Sequence, residues 1–477
     1  MIHNIPFKNT RSVTFNCVDF TAQVKRGSRL RHAIYGRNNV GLCVTPRGFT
    51  TGMGIGPLAF NLINPASGNT ERLAARDFDI LGERIRRGYC AVSDIPTVAL
   101  WVRDRAIAMN ASHGWNFWIN NQAEIRSHVA FASGVSNGKH LIFSGGSNGV
   151  WFSADDGRMF TQLLEDVSAT SIVNVFQRLF VANGASISFS AAHDLTDFVS
   201  ETSGELLVPS ELGKVLSLHQ LDNNRLLVVQ EGGFSTLEVM HDPANFQLRE
   251  LARSFQPVVP NTTQVFGDEV YYLAHGGMCR ILRNGRVELL DTPVEYQPNY
   301  EGYSSAIFEN RYYLTLSDRI LVIERFFESF SFIGDVKAHY LFPVRSVEGE
   351  SALAVLEDSF PTRIHQVTPS GHFKTSSFWG DEEARRLPQA WESEPFGLSY
   401  AANRQWLKQL LIKTNCNLRV TLTATSTGRV QTLDIQPDTE LQQFNINLRG
   451  DMFTIKLETE DQDIQVSDLS AVVAFGR

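Results

Sequence analysis

The segment Ser153-Ala154-Asp155-Asp156-Gly157-Arg158-Met159-Phe160 is the best-defined chemical motif in the chain. It fits the Asp-box pattern Ser-x-Asp-x-Gly-x-x-aromatic. In that pattern a short acidic side chain folds back onto turn amides, glycine supplies a positive φ, and the aromatic ring anchors the turn. Ser153, Asp155, Gly157 and Phe160 are therefore expected to stabilise a hairpin, not to perform catalysis. A looser relative runs from Ser190 through Asp194 and Asp197 to Phe198. The other reactive residue types are scattered. The twelve histidines form neither His-x-His nor His-Glu-x-x-His, so no metal or cofactor site is expected. Gly-x-Ser-x-Gly occurs at Gly134 to Gly138 and at Gly145 to Gly149, but without the strand–helix context of a nucleophile elbow, and there is no phosphate loop. Gly52-Met53-Gly54-Ile55-Gly56 reads as a flexible loop, because no strand–helix context surrounds it. Cys17, Cys43, Cys90, Cys279 and Cys416 are far apart and odd in number, as expected of small buried hydrophobes in a reducing compartment. Arg84-Ile85-Arg86-Arg87-Gly88 reads as a solvated basic face.

The 477 residues carry 43 Lys+Arg against 51 Asp+Glu, a net charge of −8. That balance argues against a protein whose main task is gripping phosphate backbones. Hydrophobic residues make up 43% and charged residues 20%, enough apolar surface to offset the entropy of ordering. Phenylalanine is abundant, 32 residues against 11 Tyr and 7 Trp, which favours strands and packed sheets. No 18-residue apolar run exists, and Met1 through Lys8 lacks the apolar core of a signal peptide. A soluble protein made in a cytoplasm is expected. Asp boxes also occur in sialidases, which need an arginine cluster, a tyrosine–glutamate pair and an acid. Those residue types are present, but the Arg-Ile-Pro opening is not, and no enzyme is expected.

The elements that position the Asp box are strands. A polar turn, an apolar strand, a Gly or Ser/Asp turn and a second strand recur from about 139, 175, 224, 268 and 310. The copies are Lys139 to Ser153, Asn174 to Ser190, Asn224 to Val239, Asp268 to Leu282 and Glu309 to Ile323. An all-strand period of about 40–50 residues is the signature of propeller blades, with a β-sandwich of coincidental spacing as the plainer reading. Gly41 to Thr45 and Thr97 to Val102 could supply further blades, and the glycine-rich, charged stretch 49–95 reads as an excursion. The charged run Asp381 to Pro388 marks a boundary, after which longer strands alternate with period two. The fold expected is all-β: a β-propeller body over 1–385 and an antiparallel β-sandwich over 386–477.

Four passages carry a family resemblance. They are Phe176 to Val181 leading into Ile187-Ser188-Phe189-Ser190 and Asp194 to Phe198; Arg225 to Val229 leading through Phe255 to Thr263 into Gly267 to Leu273; Phe308 to Leu316; and Phe453 to Glu458 with the closing apolar strand. In order and pattern the chain resembles the tail stabilisation (hub or nozzle) proteins of short-tailed bacteriophages. The resemblance spans about 170–477 and implies a structural virion protein without catalytic, cofactor or metal residues. It implies a homo-oligomeric ring, a hexamer, seated between the tail adaptor ring and distal tail proteins. Genome DNA would pass through its lumen without sequence-specific binding, and the ring would retain packaged DNA. No membrane is implied, and the location is the virion tail, assembled in the host cytoplasm. A net negative charge suits such a conduit. The alternatives are a glycan-binding or glycan-cleaving, sialidase-like tail propeller and a cellular scaffold propeller.

Overall fold

The five hairpins expected from the sequence form the middle of five successive sheets. The computed structural model describes residues 84–91, most of 128–369 and most of 389–475, with the backbone of further strands between 10 and 120. Lys139–Gly146 pairs with Gly149–Ser153, Arg178–Ala182 with Ser186–Phe189, and Arg225–Gln230 with Gly233–Glu238. Glu269–Ala274 pairs with Gly277–Ile281, and Arg311–Thr315 with Arg319–Glu324. Each hairpin gains one strand before it and one after, giving four-stranded antiparallel sheets over 130–164, 171–207, 215–253, 264–289 and 305–334. Their first turns need left-handed backbone, as at Asn137 (φ 51°) and Gly138 (φ 74°), which is why Asn and Gly sit there.

Apolar side chains alternate between the two neighbours of each sheet. Leu226 and Val228 pack with Phe180 and Ile187 of the preceding sheet, whereas Leu227 and Val229 pack with Val270 and Tyr272 of the next. Polar side chains then link an edge strand of most sheets to that of the next. Tyr89 Oη donates to Ser133 Oγ (3.0 Å), Asn174 Nδ2 to Ser133 O (3.4 Å), and Leu218 N to Ser171 Oγ (3.0 Å). Gln264 Nε2 donates to Ser305 O (3.0 Å), Leu341 N to Ser304 Oγ (3.1 Å), and His339 Nε2 to Ile85 O (3.1 Å).

Two expectations about the N-terminal part are corrected. The 49–95 stretch is no excursion, since its strands belong to sheets. Met53–Pro57 is the outer strand of a sheet otherwise formed by Ala338–Arg345, Ser351–Glu357 and His365–Pro369. The Gly52–Gly56 segment is thus largely strand, not loop. Glycine hides it from a sequence reading, because a strand without side chains shows no alternation. Phe60–Ile63, Thr70–Leu73 and Ile85–Ala91 join Thr97–Val102, Arg105–Ala111 and Trp115–Asn120 in a six-stranded sheet.

The C-terminal strands form two sheets that share one core, in which Leu407, Leu410 and Ile412 meet Val420, Leu422 and Ile455. Residues 386–477 do not complete these sheets alone. Thr10–Phe15 pairs with Val466–Phe475 and in turn with Val40–Val44, while Pro46–Phe49 pairs with Gln389–Ser393. The expected division at 385 is corrected accordingly: 10–49 belongs with 389–475. Period-two patterning reports a strand's face but not its partner, and these partners are over 340 residues apart. The expected linker at 381–388 lies outside the described residues.

Deleting 386–477 alone should leave the 10–15, 40–44 and 46–49 strands with open edges and yield aggregates on size-exclusion chromatography. Deleting 1–49 as well should restore a monodisperse, strand-rich body. Equal behaviour of the two truncations would refute the shared sheets.

Candidate functional site

The Asp box closes the loop after Gly149–Ser153. Ser153 Oγ accepts from Gly157 N (2.9 Å) and donates to Asp155 Oδ1 (2.7 Å), which in turn accepts from Met159 N (3.0 Å). Gly157 has φ 81°, a conformation that a Cβ would strain, and Phe160 is buried against Trp151. The four residues singled out from the sequence are therefore together, and their polar atoms are engaged with one another and the turn. Asp156 and Arg158 lie outside the described residues. The looser copy makes two Asx turns: Asp194 Oδ1 accepts from Thr196 N (3.0 Å), and Asp197 Oδ1 from Val199 N (2.9 Å). Asp194 also reaches the preceding sheet, where Asn137 Nδ2 donates to its Oδ2 (3.3 Å).

Sequence reasoning missed the charged centre beneath this loop. Arg178 is fully buried, and its guanidinium donates to Ser190 O (2.7 Å), Thr202 O (2.6 Å) and His241 O (2.7 Å). The same group lies 5.8 Å from the Phe189 ring and 5.6 Å from that of Phe246. Burial holds its pKa below the usual guanidinium value, with Asp242 opposing the shift. Three carbonyls from two successive sheets take the place of a counter-ion, so Arg178 staples loops together. The available signal was recurrence: arginine also opens Arg225–Gln230 and Arg311–Thr315.

Two further polar centres lie on the 338–369 sheet. His365 Nδ1 sits 2.5 Å from Glu357 Oε1, and both residues are buried. Asp358 meets Arg84 (2.5 Å) and His339 Nδ1 (3.0 Å), the latter without hydrogen-bond alignment. Among the described residues, neither centre brings two carboxylates together as most glycosidases need, or joins an arginine cluster to a tyrosine–glutamate pair as the sialidase reading needs. Among the described residues no three His, Cys, Asp or Glu side chains gather as a metal site. Cys90, Cys279 and Cys416 are buried free thiols.

Comparison with known proteins yields fold likeness only. No family model matches the chain, and no curated protein matches it. Among solved structures, it is similar to virginiamycin B lyase from Staphylococcus aureus, at 10% identity and TM-score 0.44, over 60% of this chain and 97% of the lyase. A catalytically inactive form of that lyase with quinupristin gives 10% identity and TM-score 0.45, over 66% and 99%. PorZ, a surface component of the type-IX secretion system of Porphyromonas gingivalis, gives 13% and 0.42, over 74% and 45%. The all-β character with four-stranded antiparallel sheets is read from the strands of this chain themselves. At TM-scores below 0.5 nothing of these proteins' activities carries over.

Asp155→Ala removes the acceptor for Ser153 Oγ and Met159 N. It should cost about 1–2 kcal/mol in urea unfolding and no ligand-binding function. Loss of a binding activity with stability unchanged would contradict the structural role.

Acid should destabilise the fold through its buried histidines. His128, hydrogen-bonded to Ser144 Oγ (2.7 Å) and Asn148 Oδ1 (3.1 Å), has its pKa lowered by burial to about 4. Burial lowers His219 to about 4 as well, although this side chain keeps some solvent contact and should count for less. A lowered histidine pKa means that the unfolded chain takes up the proton first. Stability is therefore full above about pH 6.5 and falls as pH drops towards 4, by about 3 kcal/mol for His128. His128→Gln should flatten the pH dependence of the unfolding midpoint in that window; an unchanged slope would contradict the assignment.

Proposed function

We propose that the sheets close into a seven-membered β-propeller and that the protein is a ring-forming structural component of a short-tailed phage tail, at the hub or nozzle. The observation that supports this most is the set of side-chain hydrogen bonds between first strands. It leads from Ile85–Ala91 through the successive sheets to Ala338–Arg345, and His339 returns it to Ile85 O. Between the 215–253 and 264–289 sheets, apolar packing is joined by a hydrogen bond between Ser254 Oγ and Tyr272 Oη (3.2 Å) rather than by one between first strands. Such a body is rigid, and its singled-out motif is occupied in holding a turn. Both features favour a scaffold over a hydrolase.

The place in the virion rests on the sequence resemblance. In that reading identical protomers form a hexameric ring between the adaptor ring and distal tail proteins, and DNA passes along the ring axis. Ring closure requires two different complementary patches on each protomer. A propeller body with a sandwich beside it offers distinct surfaces for that purpose. A net charge of −8 suits a conduit that DNA must pass, since it disfavours broad adhesion to the phosphate backbone.

Cryo-imaging of the assembled particle tests the reading. Multiple copies, six in the expected case, should encircle the tail axis below the adaptor. A single copy, or copies off the axis, would refute the conduit role, and saturable glycan binding by such copies would favour the glycan-directed alternative.

A further inference from the structure

The basic run at 84–87 departs from the solvated face that its composition suggests. It lies on the strand Ile85–Ala91, which packs against Ala338–Arg345 so closely that a Cβ on Gly88 would stand 2.3 Å from Phe342 Cζ. Arg84 and Arg86 are exposed, but Arg87 is only half-exposed, with its guanidinium 4.8 Å from the centre of the Tyr340 ring. Arg87 Nη1 donates to Arg86 O (3.2 Å), and among the described residues no carboxylate pairs with it. Asp358, the acid at this junction, is already engaged by Arg84 (2.5 Å) and approached by His339 (3.0 Å). Of the three neighbouring guanidinium groups, only Arg84 pairs with an acid among the described residues, in a chain whose overall charge is negative.

A partly desolvated cation without a counter-charge is costly, and proteins normally pair it or hand it to a ligand. We propose that Arg87, with Arg86 and Arg84 beside it, forms an oxyanion-binding site that accepts a phosphate group. Phosphate suits the site better than carboxylate. Guanidinium forks present several donors each, and phosphate oxygens can accept more of them at once. Burial holds the Arg87 pKa below its usual value; Tyr340 opposes that shift, and the neighbouring Arg84 and Arg86 add to it. An anion beside these arginines would oppose the shift as well. Tyr340 backs the guanidinium with its ring face and fixes the plane of the fork.

The test is thermal unfolding of the full chain at constant ionic strength while inorganic phosphate replaces chloride. The wild-type midpoint should rise and saturate, as linkage to a specific ligand requires. Arg87→Gln should abolish the rise. Arg86→Gln, at an exposed position, should weaken apparent phosphate affinity by roughly threefold to tenfold, the loss of one charge-assisted contact. Arg253→Gln, at a remote exposed ion pair, should leave the affinity unchanged. A wild-type rise no larger than that with chloride would overturn the site, and so would a saturable rise retained in Arg87→Gln. If Arg87→Gln does not fold, Arg86→Gln decides, and unchanged affinity there overturns the proposal.

Discussion

Middle strands buried on both faces are the constraint from which the architecture follows. Every residue of Arg178–Ala182, Gly277–Ile281 and Arg311–Thr315 is buried, so each sheet needs a neighbour on either side. Leaving one face open would expose side chains whose burial contributes about 1.5–3 kcal/mol apiece. Side chains of two of these sheets approach the strand Ile85–Ala91. The 338–369 sheet reaches Ile85–Ala91 through Phe342 against Gly88, and the 130–164 sheet reaches it through Phe131, 6.0 Å from Tyr89. Apolar contact is non-directional and does not by itself fix how far one sheet slides past the next. The hydrogen bonds of Asn174, Gln264, Ser304 and His339 supply that missing direction.

What was legible in the sequence follows from the same constraint. Strands buried on both faces read as short apolar runs between turn residues, so the five hairpins were visible residue by residue. The first and outer strands were less visible, because each has one face on a neighbour and one near solvent. Val215–Gln220 and Gln247–Arg253 mix buried and exposed positions without a clean period. Strands from distant parts of the chain were not legible at all. Nothing local in Met53–Pro57 announces a partner at His365–Pro369, or in Thr10–Phe15 one at Val466–Phe475.

Hydrophobicity misled the reading most sharply at one turn. Phe176 looks like the start of a strand, yet it is half-exposed with φ 51°, while Arg178 two residues on is fully buried. The inversion has a physical cause. The loop at 190–203 and the end of the next sheet's hairpin turn leave carbonyls facing inward, and a guanidinium is the side chain with enough donors to satisfy three of them at once. In the Asp box the polar requirement was readable, because its acceptors come from the same few residues that need them. At Arg178 the groups to be satisfied lie as far away as His241, and a local pattern cannot encode them.

The arginines of this chain therefore sort by what neutralises them, and that ordering distinguishes scaffold from site. Arg178 is met by carbonyls. Arg280 is met by Glu288 at 2.8 Å, with Glu269 at 3.9 Å. Arg225 and Arg253 pair with acids three residues away at the surface, where such pairs contribute little to stability. In each of these cases the fold supplies the balancing group from its own loops or strands. Arg87 departs from the series: it is sheltered by Tyr340, and its charged neighbours among the described residues are Arg84, itself paired with Asp358, and Arg86. Among the described residues Arg178 and Arg280 are balanced by groups of the fold itself, and Arg87 is the sheltered arginine for which the proposed phosphate would take that part.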